Sequence, residues 1–210
     1  TNTTASFTTT AAAEEAAATT SSSTGGGGSA TSQVAGQFSK VVWDHIDDGE
    51  TAIVSVNNGE IGITEVRFEA GRKLYGMWMK VGKKDSLPST VEKFDLKTYK
   101  YIEITKSLAF KDDDIVNPEI DFKVKKSWLT DEGLSKDNVG MFRYVDDSWT
   151  ELETTVEDDD STYVYYTAET PGFSYFAIAQ KEEVSALVVE EPTEEVVGEV
   201  AGETTEEASA

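Results

Sequence analysis

The sequence predicts an all-β protein: an antiparallel β-sandwich of Ig-like or Greek-key type with one short helical turn, flanked by low-complexity segments. Roughly nine short runs of β-branched and aromatic residues follow one another in the middle of the chain, with turn residues about every ten positions. Several runs alternate between apolar and charged residues, as strands with one buried face do. An Asn-Gly pair between two of the runs adds a strong hairpin signal.

The first hairpin is predicted around this Asn-Gly pair. Residues 51–56 and 60–68 flank Asn57-Asn58-Gly59, so we expect them to pair as antiparallel strands. The other predicted strands cover residues 74–81, 99–105, 119–125, 139–145, 148–152, 162–169 and 173–180.

The run 119–125 alternates most clearly. Ile120, Phe122 and Val124 are predicted to face the core, while the charged residues between them face water. Directly after this run, residues 127–130 predict a short helical turn that ends near Gly133.

The stretch Thr170-Pro171-Gly172-Phe173 separates the last two predicted strands. Proline suits the second position of a type II turn, and glycine suits the third. We therefore expect a hairpin corner at this point, and no chemistry.

Composition divides the chain into three parts. Residues 1–39 form an N-terminal segment and linker rich in Thr, Ser, Ala and Gly, residues 40–181 form the sandwich, and residues 182–210 form an acidic tail. Residues 1–33 are too polar to fold alone, and Gly25–Gly28 predict a flexible joint. The tail is expected to be a solvated spacer, or to add a strand at a sheet edge through its apolar patches at 186–189 and 196–200.

Charge and composition exclude several function classes. The net charge is -22, which repels nucleic-acid phosphates and anionic lipid head groups. Cysteine is absent, so neither disulfides nor thiolate metal sites are available. No apolar run has the roughly 18 residues needed to span a bilayer. The chain starts at Thr1 without a leader, and we expect a mature secreted form.

Acidic clusters are the candidate metal ligands. Asp112, Asp113 and Asp114, followed by Asn117, are the strongest candidates for holding Ca²⁺, which takes six to eight oxygen ligands. The competing interpretation is a turn-forming, hydrated loop surface. No other cofactor is expected.

Histidine and tryptophan provide the other candidates. His45 lies beside several acids and could act as a base, but no motif supplies a nucleophile, and a histidine at a strand edge is the favoured interpretation. The four tryptophans either form a sugar-stacking platform or pack in the core and in cross-strand pairs. They are Trp43, Trp78, Trp128 and Trp149.

Two residues of the N-terminal segment are singled out. Asn2-Thr3-Thr4 is an N-glycosylation sequon. Phe7 is the natural anchor if this Thr-rich segment leaves its own domain and completes the sheet of a neighbour. A free, glycosylated stalk is the alternative.

Three aromatic blocks resemble the PGF-pre-PGF domain, a family of secreted and cell-surface proteins of archaea. The blocks are "YKYIEITKSLAFKDDDIVNPEIDFKVKKSWL" (99–129), "NVGMFRYVDDSWTEL" (138–152) and "YVYYTAETPGFSYFAIA" (163–179). The resemblance covers about residues 40 to 180 and implies a location at the cell surface. It transfers no catalytic residue, and Pro171-Gly172-Phe173 lies inside the domain rather than at a sorting site.

Together these observations predict a non-enzymatic, extracellular structural protein of an archaeal cell surface. Self-association would be head-to-tail, with the N-terminal segment as donor strand of a filament. The alternative is a monomeric cell-surface adhesin that binds surface glycans, or a spacer module.

Overall fold

The computed structural model describes residues 19–23, 30–35 and 37–182. Two antiparallel sheets pack against each other, which confirms the predicted all-β sandwich with one short helix. The strands in chain order are β1 (Thr19–Ser23), β2 (Ala30–Ala35), β3 (Phe38–Ile46), β4 (Thr51–Ser55), β5 (Ile63–Ala70), β6 (Leu74–Lys84), β7 (Thr98–Lys106), β8 (Ile115–Lys125), β9 (Val139–Val145), β10 (Ser148–Glu151), β11 (Thr154–Asp159), β12 (Tyr163–Glu169) and β13 (Tyr175–Gln180).

The chain alternates between the two sheets. The larger sheet has the order β1-β2-β3-β6-β7-β13-β9-β10, and the smaller sheet has the order β11-β12-β8-β5-β4. The chain crosses from one sheet to the other between β3 and β4, β5 and β6, β7 and β8, β8 and β9, β10 and β11, and β12 and β13. Loops from both sheets therefore meet at the ends of the sandwich.

The core lies between the sheets. Ile120, Phe122 and Val124 of β8 are fully buried, as their alternation predicts. Phe122 stacks on Tyr166 of the neighbouring β12, with ring centroids 4.9 Å apart and an interplanar angle of 9°. Phe68 contributes from β5, where its ring contacts Phe110 at a centroid distance of 5.0 Å. Aromatic contacts thus link the strands to the loops that join them.

The hairpin at 51–56 and 60–68 is confirmed as the antiparallel pair β4 and β5. Its connection, residues 56–62, is longer than the two-residue turn typical of Asn-Gly hairpins. The Asn58 side chain accepts a hydrogen bond from the Glu60 amide, and the Asn58 carbonyl accepts one from Ile61. Ile61 is fully buried, so the longer loop delivers one more side chain to the core.

The predicted helical turn is helix α1 (Lys126–Glu132), which directly follows β8. Gly133 ends it in the left-handed conformation at φ 68°, and its amide donates to Leu129 and Thr130. No helix within residues 19–23, 30–35 and 37–182 is both long and apolar enough to cross a membrane.

Four of the thirteen strands, β1, β2, β3 and β11, are not among the nine runs predicted as strands. β1 and β2 lie in the segment that was expected to lack structure of its own, and β11 has the polar sequence TTVEDD. Their pairing supplies the reason: β2 bonds to β3, and β11 bonds to β12. A neighbouring strand stabilises each of these segments through backbone hydrogen bonds, whatever its side chains.

The prediction of a hairpin at Thr170-Pro171-Gly172-Phe173 is wrong. The strands on either side, β12 and β13, belong to different sheets, so this corner carries the chain across the sandwich. Gly172 also lacks the positive φ that a type II turn requires. The alternating aromatic pattern identified the strands correctly but did not reveal which partners they take.

Candidate functional site

The β1–β2 hairpin extends the larger sheet beyond the smaller one. The edge strand of the smaller sheet, β4, lies against β3. Beyond β3, the larger sheet continues with β2 and then β1, and among the described residues neither strand makes an extended contact with a strand of the smaller sheet. The β1–β2 hairpin is therefore an overhang of the larger sheet.

The overhang changes the expected position of the joint. In β1 and β2, Ser23 is opposite Ala30, and the glycine run lies in the connection 24–29 between them, outside the described residues. β2 continues into β3, with Ala35 opposite Phe38. The glycine run thus separates β1 from β2, and the predicted joint lies inside the overhang rather than at the start of the sandwich.

The sheet edges differ between the two sides of the sandwich. On one side, the edge strands β10 and β11 carry Glu151, Glu157, Asp158 and Asp159, and a register shift interrupts β11 after Val156. On the other side, the edge strands β1 and β4 contain no charged residue. Charges and bulges protect an edge against pairing with another chain. The side with β1 and β4 lacks both devices and is the candidate assembly edge.

The candidate calcium ligands Asp112–Asp114 form a single 3₁₀ turn before β8. Asp114 is buried, and its carboxylate accepts from Arg72 Nε at 2.5 Å, from Arg72 Nη2 at 2.9 Å and from the Lys111 amide at 3.0 Å. The Arg72 guanidinium in particular holds the pKa of Asp114 below its usual range. These contacts make Asp114 a structural ion-pair partner.

Asp112 also pairs with a cation, since Lys106 Nζ lies 3.1 Å from its carboxylate. Nearby, Lys73 lies 2.5 Å from Asp47, and this contact lowers the pKa of Asp47. In the described part of the chain, no group of three or more acidic or histidine side chains has a geometry that would hold a metal ion. The positively charged side chains of Arg72, Lys73 and Lys106 pair with aspartates in the loops that were candidates for Ca²⁺.

The Thr170–Phe173 corner lies beside the Asp112 turn. The buried hydroxyl of Thr170 donates to the Gly172 carbonyl at 2.7 Å, and the Thr170 amide donates to Pro118 at 3.0 Å. Phe173 packs on Phe68, with centroids 6.4 Å apart. The corner is therefore fixed to β8 and to the core.

Gly172 is needed for a close approach. A Cβ atom at this position would lie 3.1 Å from Nη2 of Arg143 and 3.4 Å from Cγ of Asp112. The Nε atom of Arg143 is buried and has no hydrogen-bond partner within the described residues. The corner thus lies in close contact with a guanidinium, which explains the glycine without any turn requirement.

The four tryptophans are mostly packed against other side chains. Trp43 is buried against Phe68, and Trp128 packs on Tyr99 with centroids 5.1 Å apart. Trp149 donates its indole N–H to the Glu92 carbonyl at 2.8 Å and lies among three rings, those of Phe94, Tyr101 and Tyr144. Trp78 is half-buried on the outer face of the larger sheet. These contacts favour the packing interpretation over a sugar-stacking platform.

His45 lies near the end of β3, opposite Tyr75 of β6, with the two rings 6.4 Å apart. The histidine therefore matches the strand-edge interpretation.

Sequence reasoning missed a charged network on the outer face of the smaller sheet. Arg67 of β5 donates to Glu119 at 2.5 Å and to both oxygens of Asp121 at 2.5 and 3.1 Å, and it reaches Glu65 at 3.3 Å. Thr167 adds a hydrogen bond to Asp121 at 2.7 Å. Burial alone would lower the pKa of Arg67, but the hydrogen bonds to Glu119 and Asp121 outweigh it and raise the pKa.

This network borders a polar groove of about 450 Å³. Lining residues include Glu153, Glu157, Tyr165 and Glu169, in addition to Arg67 and its partners. The network was missed because Arg67 and Glu119 become neighbours only through the pairing of β5 with β8. The alternation of β8 does predict that its charged residues lie on one face of the sheet, but it does not predict that Arg67 lies beside them.

Several predicted residues lie outside the described part of the chain. They are the sequon residue Asn2, the donor anchor Phe7 and the acidic tail beyond Glu182. Their predicted roles stay predictions.

Comparisons with protein-family models, with curated proteins and with solved structures find no match. The likeness of residues 99–129, 138–152 and 163–179 to the PGF-pre-PGF domain therefore stays a resemblance in sequence.

Proposed function

We propose that this chain is a non-enzymatic structural protein of an archaeal cell surface, and that copies join through the overhang. The observation that carries the proposal is the contrast between the two sides of the sandwich. One side has acidic and interrupted edges at β10 and β11, and the other has uncharged edges at β1 and β4. A free, uncharged strand edge is a template for pairing with another chain.

The weak internal support of β1 favours exchange between copies. Its sequence, TTSSS, contains no large apolar side chain, and it pairs with β2 alone. An edge strand with one neighbour and no large apolar side chain to bury is held mainly by backbone hydrogen bonds, each of which adds little net stability. Since an identical strand from a second copy would form the same backbone hydrogen bonds with β2, exchange costs little.

In this proposal β1, with the residues before it, is the donor, and the edge of β2 is the acceptor. The glycine run between them supplies the reach. Donor and acceptor are different surfaces of one chain, so repeated exchange generates an open, head-to-tail filament. The resemblance to archaeal surface proteins supports an extracellular setting for it.

Three chains test the proposal: the full chain, a chain lacking residues 1–18, and a chain lacking residues 1–23. Light scattering and negative-stain imaging measure their mass and shape. We expect filaments from the first two chains and monomers from the third, because only the third lacks β1. Filaments from the full chain alone would instead assign the donor to residues 1–18, which include Phe7. Monomers from all three would overturn the proposal.

A point variant makes the same test with an intact chain. Ser21→Pro removes a backbone donor in the middle of β1, whereas Ser21→Thr preserves it. Assembly should be lost in the first variant and retained in the second. Equal assembly of both would contradict a role for β1.

A monomeric surface adhesin or spacer is the second candidate, and the groove beside Arg67 favours it. Its charged groups and the Tyr165 ring are the side-chain types that bind sugars through hydrogen bonds and stacking. Glycan binding by the monomer, lost in Tyr165→Ala and retained in Tyr163→Ala, would support this candidate.

A further inference from the structure

The outer face of the larger sheet carries a strip in which two lysines lie beside aromatic rings. Lys40 of β3 is directly opposite Lys80 of β6, and Val42 is opposite Trp78. Lys40 Nζ lies 4.7 Å from the centroid of the Trp78 ring. Lys80 Nζ lies 4.5 Å from that of Phe38. We call these five residues the lysine strip.

The two lysines of the strip are placed in an electrostatically unfavourable arrangement. Like charges directly opposite each other on neighbouring strands repel. Neither Lys40 nor Lys80 forms an ion pair within the described residues. β2, on one side of the strip, has the uncharged sequence ATSQVA, and Thr105 is the residue of β7 opposite Lys80. Among the described residues the strip has no carboxylate ion-pair partner, although the net charge of the chain is -22.

The strip is also partly apolar and open to solvent. Val42 is 39% exposed, one of only four large hydrophobic residues in the described chain with this degree of exposure. Phe38 and Trp78 are half-buried. A ligand that fits this surface carries both carboxylates and aliphatic side chains.

We propose that the C-terminal segment 183–210 of the same chain binds the lysine strip. This segment contains nine glutamates and no basic residue, and its apolar patches at 186–189 and 196–200 alternate with the glutamate pairs. Its carboxylates match Lys40 and Lys80, and its valines match the apolar part of the strip. The inference is independent of the overhang and of filament formation.

The distance permits binding within one molecule. Lys80 is opposite Thr105 of β7, and Tyr175 of β13 is opposite Glu103 of the same strand. With about 4.8 Å between strands and about 3.4 Å per residue, Gln180 lies roughly 25–30 Å from Lys80. Residues 183–210 span up to about 90 Å when extended. Tethering therefore gives the segment a high effective concentration at the strip.

Zero-length carbodiimide cross-linking of the dilute full chain tests this proposal, because it joins lysines to carboxylates in direct contact. Mass spectrometry should find Lys40 or Lys80 joined to glutamates of 183–210. Lys123 and Lys125 on the smaller sheet are the internal control, since Lys123 also lies over a ring, 4.4 Å from the Tyr163 centroid. We expect at least about threefold more product from the strip, and a loss of this excess in 1 M salt.

Two outcomes would overturn the inference. Equal yields from both lysine pairs would show that the tail does not select the strip. Cross-links between isotopically labelled and unlabelled chains, without any within one chain, would show that the segment binds another copy.

Matched variants give a second readout. Lys40→Gln with Lys80→Gln removes the charges of the strip, and Lys123→Gln with Lys125→Gln removes the same charge elsewhere. A glutamyl endopeptidase should cleave the tail of the first variant at least about threefold faster than that of the second, provided that both keep the β-sheet signal in circular dichroism. Equal cleavage rates would contradict binding at the strip.

Discussion

Gly172 and Arg143 approach each other so closely that any larger residue at position 172 must displace the guanidinium. An added Cβ would lie 3.1 Å from Nη2 of Arg143. The contact joins the corner between β12 and β13 to strand β9, and thus links the two sheets at one end of the sandwich.

Gly172→Ala should lower the free energy of unfolding by about 1–3 kcal/mol, because overpacking forces the Arg143 and Asp112 side chains to move. Gly59→Ala is the matched control, since a Cβ there meets nothing within 4 Å. Urea denaturation of both variants measures the effect. A Gly172→Ala protein as stable as the Gly59→Ala control would show that the Arg143 and Asp112 side chains can move without loss of folding free energy.

The Arg72–Asp114 pair predicts a loss of stability in acid. The folded pKa of Asp114 is lowered from its ordinary value of 3.8, chiefly by hydrogen bonds from Arg72. A carboxyl group with a depressed folded pKa stabilises the protein above its unfolded pKa, and this contribution is lost as the pH falls through the folded value.

Urea melts between pH 5 and pH 2 test this prediction. Asp114→Asn should flatten the decline in the free energy of unfolding. Asp113→Asn should leave it unchanged, because Asp113 is exposed and forms no ion pair in the described part of the chain. Parallel curves for the wild type and Asp114→Asn would refute the assignment.

The Phe122–Tyr166 stack predicts a large cost for truncation in the core. Phe122→Ala should destabilise the protein by about 3–5 kcal/mol, because it removes a fully buried ring and leaves a cavity. Leu108→Ala is the control, since Leu108 is fully exposed. Thermal unfolding measures the two variants. Similar unfolding midpoints for Phe122→Ala and Leu108→Ala would show that the Phe122 ring does not contribute to a packed core.

Arg67→Met should destabilise the smaller sheet by about 1–2 kcal/mol, because it leaves Glu65, Glu119 and Asp121 without their shared cation. The loss should shrink in 1 M salt, which screens the repulsion between the carboxylates. Lys125→Met is the control, because Lys125 lies on the same face and forms no ion pair with any of the described residues. A loss that is independent of salt would indicate that packing, rather than charge, is responsible.

Sequence patterns predicted nine strands, most of which have large side chains on a buried face. β8 is the clearest case, because Ile120, Phe122 and Val124 alternate with charged residues. The same patterns could not predict β1, which has neither apolar alternation nor large side chains. β1 forms because β2 provides backbone donors and acceptors for it. Which strand pairs with β1 cannot be read from the residues of β1 alone.

The candidate sites, too, were predicted only in part: their residue types could be recognised, but their charge partners could not. Acidic residues at 112–114 were recognised as a cluster, but their partners Arg72 and Lys106 come from other loops and strands. The lysine strip likewise needs the register of β3 against β6, in which Lys40 faces Lys80. Residue types can be read locally, whereas the charge that surrounds each residue depends on which strands are neighbours.

The overhang also has a mechanical consequence. Two extra strands make the larger sheet longer than the smaller one by about 10 Å on one side. In a filament joined by exchange of β1, each joint would consist of a donated strand on the larger sheet alone, while a gap would separate each smaller sheet from the next. Such a fibre bends more easily toward the gapped side than away from it. Its curvature would therefore be set by the absence of a second layer at the joints.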